Sequence, residues 1–411
     1  MEPCKGARVA LVISCFLPLV GLASSETVTE ADAIQIFLEE SPQARAIPLA
    51  IRWQLAESRI DTRVANPNVV YQIEDAAGAR DEFLTFEQEL PITGRRGLLR
   101  ERAEAASSAA GLAGERNLQE DAYALKLAFH AVLYRETVLD SLRQGAGTLE
   151  RTLEVLRERE REGEGAGYDV LRAEQELAEL QIAATRAEAA LVAARFEFGS
   201  FFGAAREMER ATLAGGFATE GSAPEASEAV ELALSNRLDL RALSAHAERQ
   251  QLDYRAARRR RFPEPTLTAG WKRVEALGMS DTGFVASLMV PLPFFERGQY
   301  EAARASAERG RGELRAEVLE RQIRAEVHAA VGRDRSARDA ARRYGQEVES
   351  RSIELRRIAQ LAFDEGESGI LELLDAHRTA LAMELRALAA RYEAKTAEID
   401  LNRAIGIEVQ P

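Results

Sequence analysis

From Leu98 to about Glu162, and again from Gln299 to about Glu365, the sequence runs without a proline and is rich in Ala, Leu, Glu and Arg. Such composition favours helix throughout, and about 60 residues at about 1.5 Å each make a rod on the order of 90 Å long. No compact globule needs rods of that length. Apolar positions such as Leu125, Ala128, Phe129, Val132 and Leu133 recur at spacings of three and four, leaving a narrow stripe that must be covered by another helix. Each rod stops at a glycine segment, Gly163-Glu164-Gly165-Ala166-Gly167 or Gly366-Glu367-Ser368-Gly369, and resumes near Tyr168 or Ile370. The spacing therefore predicts two long helical hairpins, about 98–162 with 168–199 and about 299–365 with 370–403.

The hairpins belong to a duplication. Helical stretches over 31–64 and 226–261 end just before Asn66-Pro67-Asn68 and Glu264-Pro265-Thr266. Period-two segments follow in both halves. Val69, Tyr71 and Ile73 alternate with Val70, Gln72 and Glu74, and Leu84, Phe86, Gln88 and Leu90 alternate with Thr85, Glu87 and Glu89. Leu267, Ala269 and Trp271, then Phe284, Ala286, Leu288 and Val290, repeat the pattern. The expected strands are about 67–75, 83–91, 265–275 and 283–291, with loops at 76–82 and 276–282. The second strand of each pair stops at a proline, Leu90-Pro91-Ile92 or Val290-Pro291-Leu292, before a basic glycine turn. Residues 26–212 and 226–411 form the two repeats, and the glycine-bearing segment 213–225 is read as their linker.

Lys5 and Arg8 precede an apolar run from Val9 to Ala23 that closes on Ala23, Ser24 and Ser25, the pattern of a secretory signal over 1–25. About 15 apolar residues fall short of the roughly 20 a spanning helix requires. Cys4 and Cys15 lie inside this segment, so cleavage leaves no thiol for a disulfide, a metal or a nucleophile. Removing a segment of net charge +1 from a chain of −13 leaves −14, which argues against nucleic acid as a partner. No later apolar run is long enough to span a membrane as a helix, so a membrane crossing would have to use strands.

Four strands cannot close a barrel, and an open edge in lipid leaves unpaired amide and carbonyl groups costing several kcal/mol each. Several chains must pool their strands; two would reach the minimum of about eight and three would give about twelve. Sequence alone does not choose between these, but the residues carry a resemblance. Phe86-Glu87-Gln88-Glu89-Leu90-Pro91 with Gly94-Arg95-Arg96, Asn236-Arg237-Leu238-Asp239-Leu240-Arg241-Ala242, and Val290-Pro291-Leu292-Pro293-Phe294-Phe295-Glu296-Arg297 are similar to segments of the TolC outer-membrane factor family. Asp169-Val170-Leu171-Arg172-Ala173-Glu174 and Glu372-Leu373-Leu374-Asp375-Ala376 resemble that family's periplasmic tips.

The resemblance implies an α+β, mainly helical protomer whose two β-hairpins contribute four strands to a trimeric, 12-stranded barrel above a helical tunnel. It implies a passive efflux duct in the outer membrane, reaching into the periplasm. The partners it implies are a periplasmic adaptor and an inner-membrane pump of the resistance-nodulation-division type. The turn Phe294-Phe295-Glu296-Arg297 is most similar to the CzcC-like branch, associated with divalent-metal efflux. Adaptor contact is expected at Gly163, Gly165, Asp169, Val170, Leu171, Gly366, Ser368, Gly369 and Leu374. Gly165 replaces the usual serine, and Ser368 departs from an arginine found nearby in some members. Glu372 and Asp375, three residues apart on one helix, are expected to form a cation-attracting gate.

Arg258, Arg259, Arg260 and Arg261 precede the third strand, while Arg95, Arg96 and Arg297 follow the second and fourth. If the strands lie in lipid, all seven fall at one boundary and form a basic girdle for phospholipid phosphates. Trp271 fits an interfacial aromatic. His130, His246, His328 and His377 are scattered singly over helices, without the convergent spacing of metal ligands. Neither a Gly-x-Ser-x-Gly elbow nor a His-Glu-x-x-His motif is present, so no enzyme and no cofactor is expected. A periplasmic coiled-coil adaptor or scaffold would share the rods but not the two alternating hairpins.

Overall fold

The computed structural model describes residues 27–163, 167–203 and 208–410. The expected signal segment with Cys4 and Cys15, and Gly165 at the first tip, lie outside the described residues. The chain opens with β1 (Thr27–Thr29), α1 (Glu30–Glu40) and α2 (Pro42–Ile60). Strands β2 (Asn68–Ala76) and β3 (Ala79–Glu89) lead into the rod α3 (Arg95–Arg161) and its return helix α4 (Gly167–Gly199). After β4 (Thr212–Ala214) the second repeat runs α5 (Ala226–Asn236), α6 (Leu238–Arg259), β5 (Thr266–Ala276), β6 (Met279–Met289), α7 (Gln299–Arg343), α8 (Glu349–Asp364) and α9 (Ile370–Ile405).

The opening helices of each repeat are broken where a single helix was expected. Ser41 caps α2 by accepting the amide of Ala44 at 3.1 Å, and Pro42 starts the new helix where no amide donor is needed. In the second repeat Arg237 is in extended backbone and separates α5 from α6. The second rod is also interrupted, because Tyr344–Val348 form one π-helical turn between α7 and α8. The segment read as a linker begins within β4, which pairs in parallel with β1 and ties the start of the described chain to the junction of the repeats. Strands of three residues are too short for an alternation signal.

Strands β2, β3, β5 and β6 form one antiparallel sheet in that order. They run longer than the sequence suggested, since Ala77-Gly78 and Leu277-Gly278 make two-residue turns with φ of 56° and 78°, and 52° and 76°. Positive φ at both central positions is the turn geometry that matches strand twist, and glycine fills only the second position of each pair. The polar residues Arg80, Asp81 and Glu82 are therefore paired strand, not loop.

Helix α3 packs on α2, α4, α6 and α9, while α7 packs on α6 and α9, and α8 on α9. The buried residues fall into separate clusters along the rods. Leu98, Leu99 and Leu252 lie below the sheet, Phe37, Phe129 and Phe198 in a middle cluster, and Leu153, Phe363 and Leu373 near the tips. At the start of α7, Gly298 has φ of 76° and a Cβ there would sit 2.2 Å from the carbonyl oxygen of Ala257, so only glycine lets the rod leave the sheet against α6.

Candidate functional site

The register sorts the sheet into two chemically different faces. Val69, Phe86, Ala269 and Ala286 form one cross-strand row, and Tyr71, Leu84, Trp271 and Phe284 the next. Nearly all the large members are exposed, with Trp271 at 69% and Phe284 at 71%. The following row on the same face, Ile73, Glu82, Arg273 and Thr282, turns polar. Trp271 thus stands in the last apolar row before charge begins, the place of an interfacial aromatic. The opposite face carries Asn68, Gln72, Glu74, Asp81, Thr85, Glu87, Thr268, Lys272, Asp281 and Ser287. There Lys272 is ion-paired with Asp81 and lies 5.0 Å from the ring centroid of Phe83. One face can meet lipid and the other water, which is the alternation a barrel wall requires.

Below the sheet the arginines from both repeats gather. Arg258, Arg259, Arg260, Arg261 and Arg297 are exposed, and Arg95 and Arg96 half-buried. Arg260 is bound to Glu301 at 2.6 Å, so it is not available as a free cation. Burial, and then the nearby charge of Arg260, hold the Arg95 guanidinium below its ordinary value. Arg261 lies 4.7 Å from the Phe262 ring centroid and Arg258 5.8 Å from that of Tyr254. Phe295, Tyr300, Phe294 and Leu292 are strongly exposed beside them, an apolar component that the basic pattern alone did not reveal.

At the tips the structure corrects two expected contact residues. Val170 and Leu374 are buried among Leu149, Leu153, Phe363 and Leu373, because the helical period turns them into the hairpin core. The exposed apolar side chains there are Tyr168, Leu171 and Leu371, of which only Leu171 was expected. Gly163, Gly366 and Gly369 are exposed, and Asp169 and Ser368 half-buried. Exposed Tyr168 and Leu371 sit next to the glycine turns, which is the signal that would have found them.

Glu372 and Asp375 are both exposed in the first turns of α9. They are not equivalent, since Asp375 is paired with Arg378 at 2.7 Å. The histidines remain apart: His130 is buried with its Nε2 2.7 Å from Glu30, and His377 lies 3.3 Å from Gln360. Among the described residues no group of three or more His, Cys, Asp or Glu is arranged to hold a metal.

Comparison with known proteins agrees with this geometry. Residues 229–407, almost the whole second repeat, match the sequence model of the family described as outer membrane efflux protein. No curated protein matches the chain in sequence. A membrane protein from Pseudomonas aeruginosa is similar in structure with a TM-score of 0.74 at 19% identity, over 92% of this chain and 93% of its own. The CmeC outer membrane channel of Campylobacter jejuni is similar with a TM-score of 0.74 at 12% identity, over 92% and 85% of the two chains. The outer membrane protein VceC of Vibrio cholerae is similar with a TM-score of 0.71 at 14% identity, over 92% and 96%. The mainly helical α+β fold read from the residues is borne out by these structures, and the family match supports the resemblance over the second repeat.

Proposed function

We propose that this chain is a TolC-type efflux protein of the outer membrane, one protomer of a homotrimeric duct that passively conducts substrates delivered by an inner-membrane pump and a periplasmic adaptor. The observation that carries this reading is the two-faced open sheet. Strands β2 and β6 each pair on one side only, so an apolar face sits between two bare edges. In lipid those edges must be closed, and three chains pool about twelve strands, a barrel of ordinary size. The helices repeat the same logic. In the order of packing, α2 and α7 are the outermost below the sheet, and α4 and α8 toward the tips. Exposed Trp53, Leu314, Ile182, Phe196, Ile353 and Ile358 lie on these four helices, where a neighbouring protomer would cover them.

The tips, with exposed Tyr168, Leu171 and Leu371, are the surface offered to the adaptor. The exit path is the polar face of the sheet. The TolC-type resemblance assigns the pump to the resistance-nodulation-division type, and the CzcC-like character of the turn at Phe294-Phe295-Glu296-Arg297 assigns the cargo to divalent metal cations. The cation is cargo in transit, not a resident cofactor. No catalytic role is assigned to any residue. A periplasmic adaptor or scaffold, the rival reading, leaves the apolar face of the sheet without a use.

The test is assembly. The protein extracted from membranes in mild detergent should run as a heat-labile trimer and form conducting pores in planar bilayers. A monodisperse monomer, soluble without detergent, would refute the reading. Deleting the gene should lower tolerance to divalent metals; unchanged tolerance would remove the metal cargo and leave the duct.

A further inference from the structure

We infer that the helix-side rim of the sheet is a binding surface for anionic phospholipid, built from Arg258, Arg259, Arg261 and Arg297. The inference rests on the outer-membrane reading above and adds a ligand to it. Its first support is charge left uncompensated. None of these four exposed arginines makes a salt bridge among the described residues. Of the neighbouring carboxylates, Glu301 is paired with Arg260 at 2.6 Å, while Glu264 and Glu296 accept from the Thr93 hydroxyl at 2.7 Å and the Gly298 amide at 2.8 Å and form no ion pair with any of the four. Exposed cations crowded together without an ion-pair partner repel one another and attract an outside anion.

The second support is continuity with the apolar face. Along β6 and beyond it, Phe284, Leu288, Val290, Leu292 and Phe294 stay exposed from mid-strand down to the arginines, and Phe295 is 92% exposed. Aromatic side chains at the edge of an apolar band sit at headgroup level in a bilayer. The Arg261 guanidinium lies 4.7 Å from the Phe262 ring centroid, within cation–π reach of the ring, and the side chain is exposed at the rim. Apolar band, aromatic edge and free guanidinium groups thus follow one another in the order of acyl chain, interface and phosphate. Polybasic surfaces at a membrane attract anionic lipid.

The third support is the side of the membrane. The hairpin turns at Ala77-Gly78 and Leu277-Gly278 are at the opposite end of the strands from the rods α3 and α7, so the arginines share the side of the long helices. That places them toward the leaflet on the periplasmic side, which is formed of phospholipid, and commits the site to a phospholipid headgroup.

The experiment uses the full chain purified as its oligomer in nanodiscs and in detergent. Phosphatidylglycerol retained by the protein through delipidation is measured by native mass spectrometry against phosphatidylcholine. The parent should prefer phosphatidylglycerol, and the preference should fall with added salt. R258Q/R259Q/R261Q/R297Q should weaken retention by at least about tenfold, and the same positions as Lys should restore most of it. Oligomer size and pore conductance are recorded on the same samples, so failure of the duct shows separately from failure of the lipid site. Equal retention of both lipids by the parent overturns the inference, as does a trimeric Gln variant that retains phosphatidylglycerol like the parent. Displacement of the lipid by inorganic phosphate at equal affinity also overturns it, since the site would then bind phosphate without regard to membrane. If the Gln variant does not assemble, the parent's lipid preference and its salt dependence decide the matter alone.

Discussion

Arg338 donates from Nε to both carboxylate oxygens of Asp334, at 2.8 and 2.9 Å, and Asp334 is wholly buried. The rest of the guanidinium reaches Glu398 at 3.0 Å and the carbonyls of Glu220 and Gly221 at 3.1 Å. Glu398 in turn accepts the Glu220 amide at 2.6 Å and pairs with Lys395 at 2.9 Å. One arginine on α7 therefore fastens the connection between the repeats to both α7 and α9.

Removing that arginine leaves the buried Asp334 without a cation and Glu398 with Lys395 alone. Arg338→Met should destabilise the protein by about 3–5 kcal/mol, the usual cost of an uncompensated buried charge. Its effect should show as a lower unfolding midpoint in detergent and faster proteolysis between Gly215 and Glu225. A variant as stable as the parent would mean the network is dispensable.

A second buried pair makes stability depend on acid. Burial works against the ionised form of Glu30, but hydrogen bonds from His130 and Lys126 outweigh it and lower its pKa from 4.5 to about 2. A depressed carboxyl contributes stability that is fully present above its unfolded value and is lost as pH falls through the folded one. The loss should therefore occur between about pH 4.5 and 2 and amount to no more than about 3 kcal/mol. Acid titration of the unfolding midpoint tests this: Glu30→Gln should be less stable near neutrality and flatter over that window. The same slope in both proteins would rule the pair out.

The two faces of the sheet can be separated by neighbouring substitutions. Leu84 shares its row with Tyr71, Trp271 and Phe284, whereas Thr85 lies opposite Val70 and Gly270 on the other face. Phe86→Arg, one row deeper in the apolar band than Leu84, should cost about 2 kcal/mol or more if its face meets lipid, and Thr85→Arg much less. Trimer yield from membranes measures both. Equal losses would mean the sheet is not a barrel wall.

Much of this architecture is written in residue order, and the reasons for the exceptions are specific. The strands announce themselves because one face is apolar, so Tyr71 and Leu84 alternate against Gln72 and Thr85. The same criterion hides their ends, since Arg80 and Asp81 look like loop although they pair with Asp75 and Glu74. Helix composition does not distinguish an α turn from the π turn at Tyr344–Val348. The exposed pair Glu372 and Asp375 could be placed on one face by spacing alone. Val170 and Leu374 could not be told from surface residues by resemblance, because the packing of one hairpin on the other decides their burial. The contact of His130 with Glu30 spans 100 positions, and no local pattern encodes it.

The tip gate is open to the sharpest test because the structure separates its two carboxylates. We propose that three copies of Glu372 and Asp375 ring the axis of the assembled tip and favour cations, as carboxylate rings do in cation channels. Asp375 is exposed and already paired with Arg378 at 2.7 Å, so part of its charge is offset, while Glu372 has no cationic partner among the described residues. Glu372→Gln should therefore reduce cation selectivity more than Asp375→Asn does. The double variant should also abolish block by divalent or trivalent cations and still assemble. Arg378→Gln should move selectivity the other way, since it frees the Asp375 charge; with separations inside the roughly 8 Å screening length the change should shrink as salt rises. Reversal potentials in planar bilayers give each number. Selectivity unmoved by all three substitutions would return Glu372 and Asp375 to the ordinary solvated face of a helix.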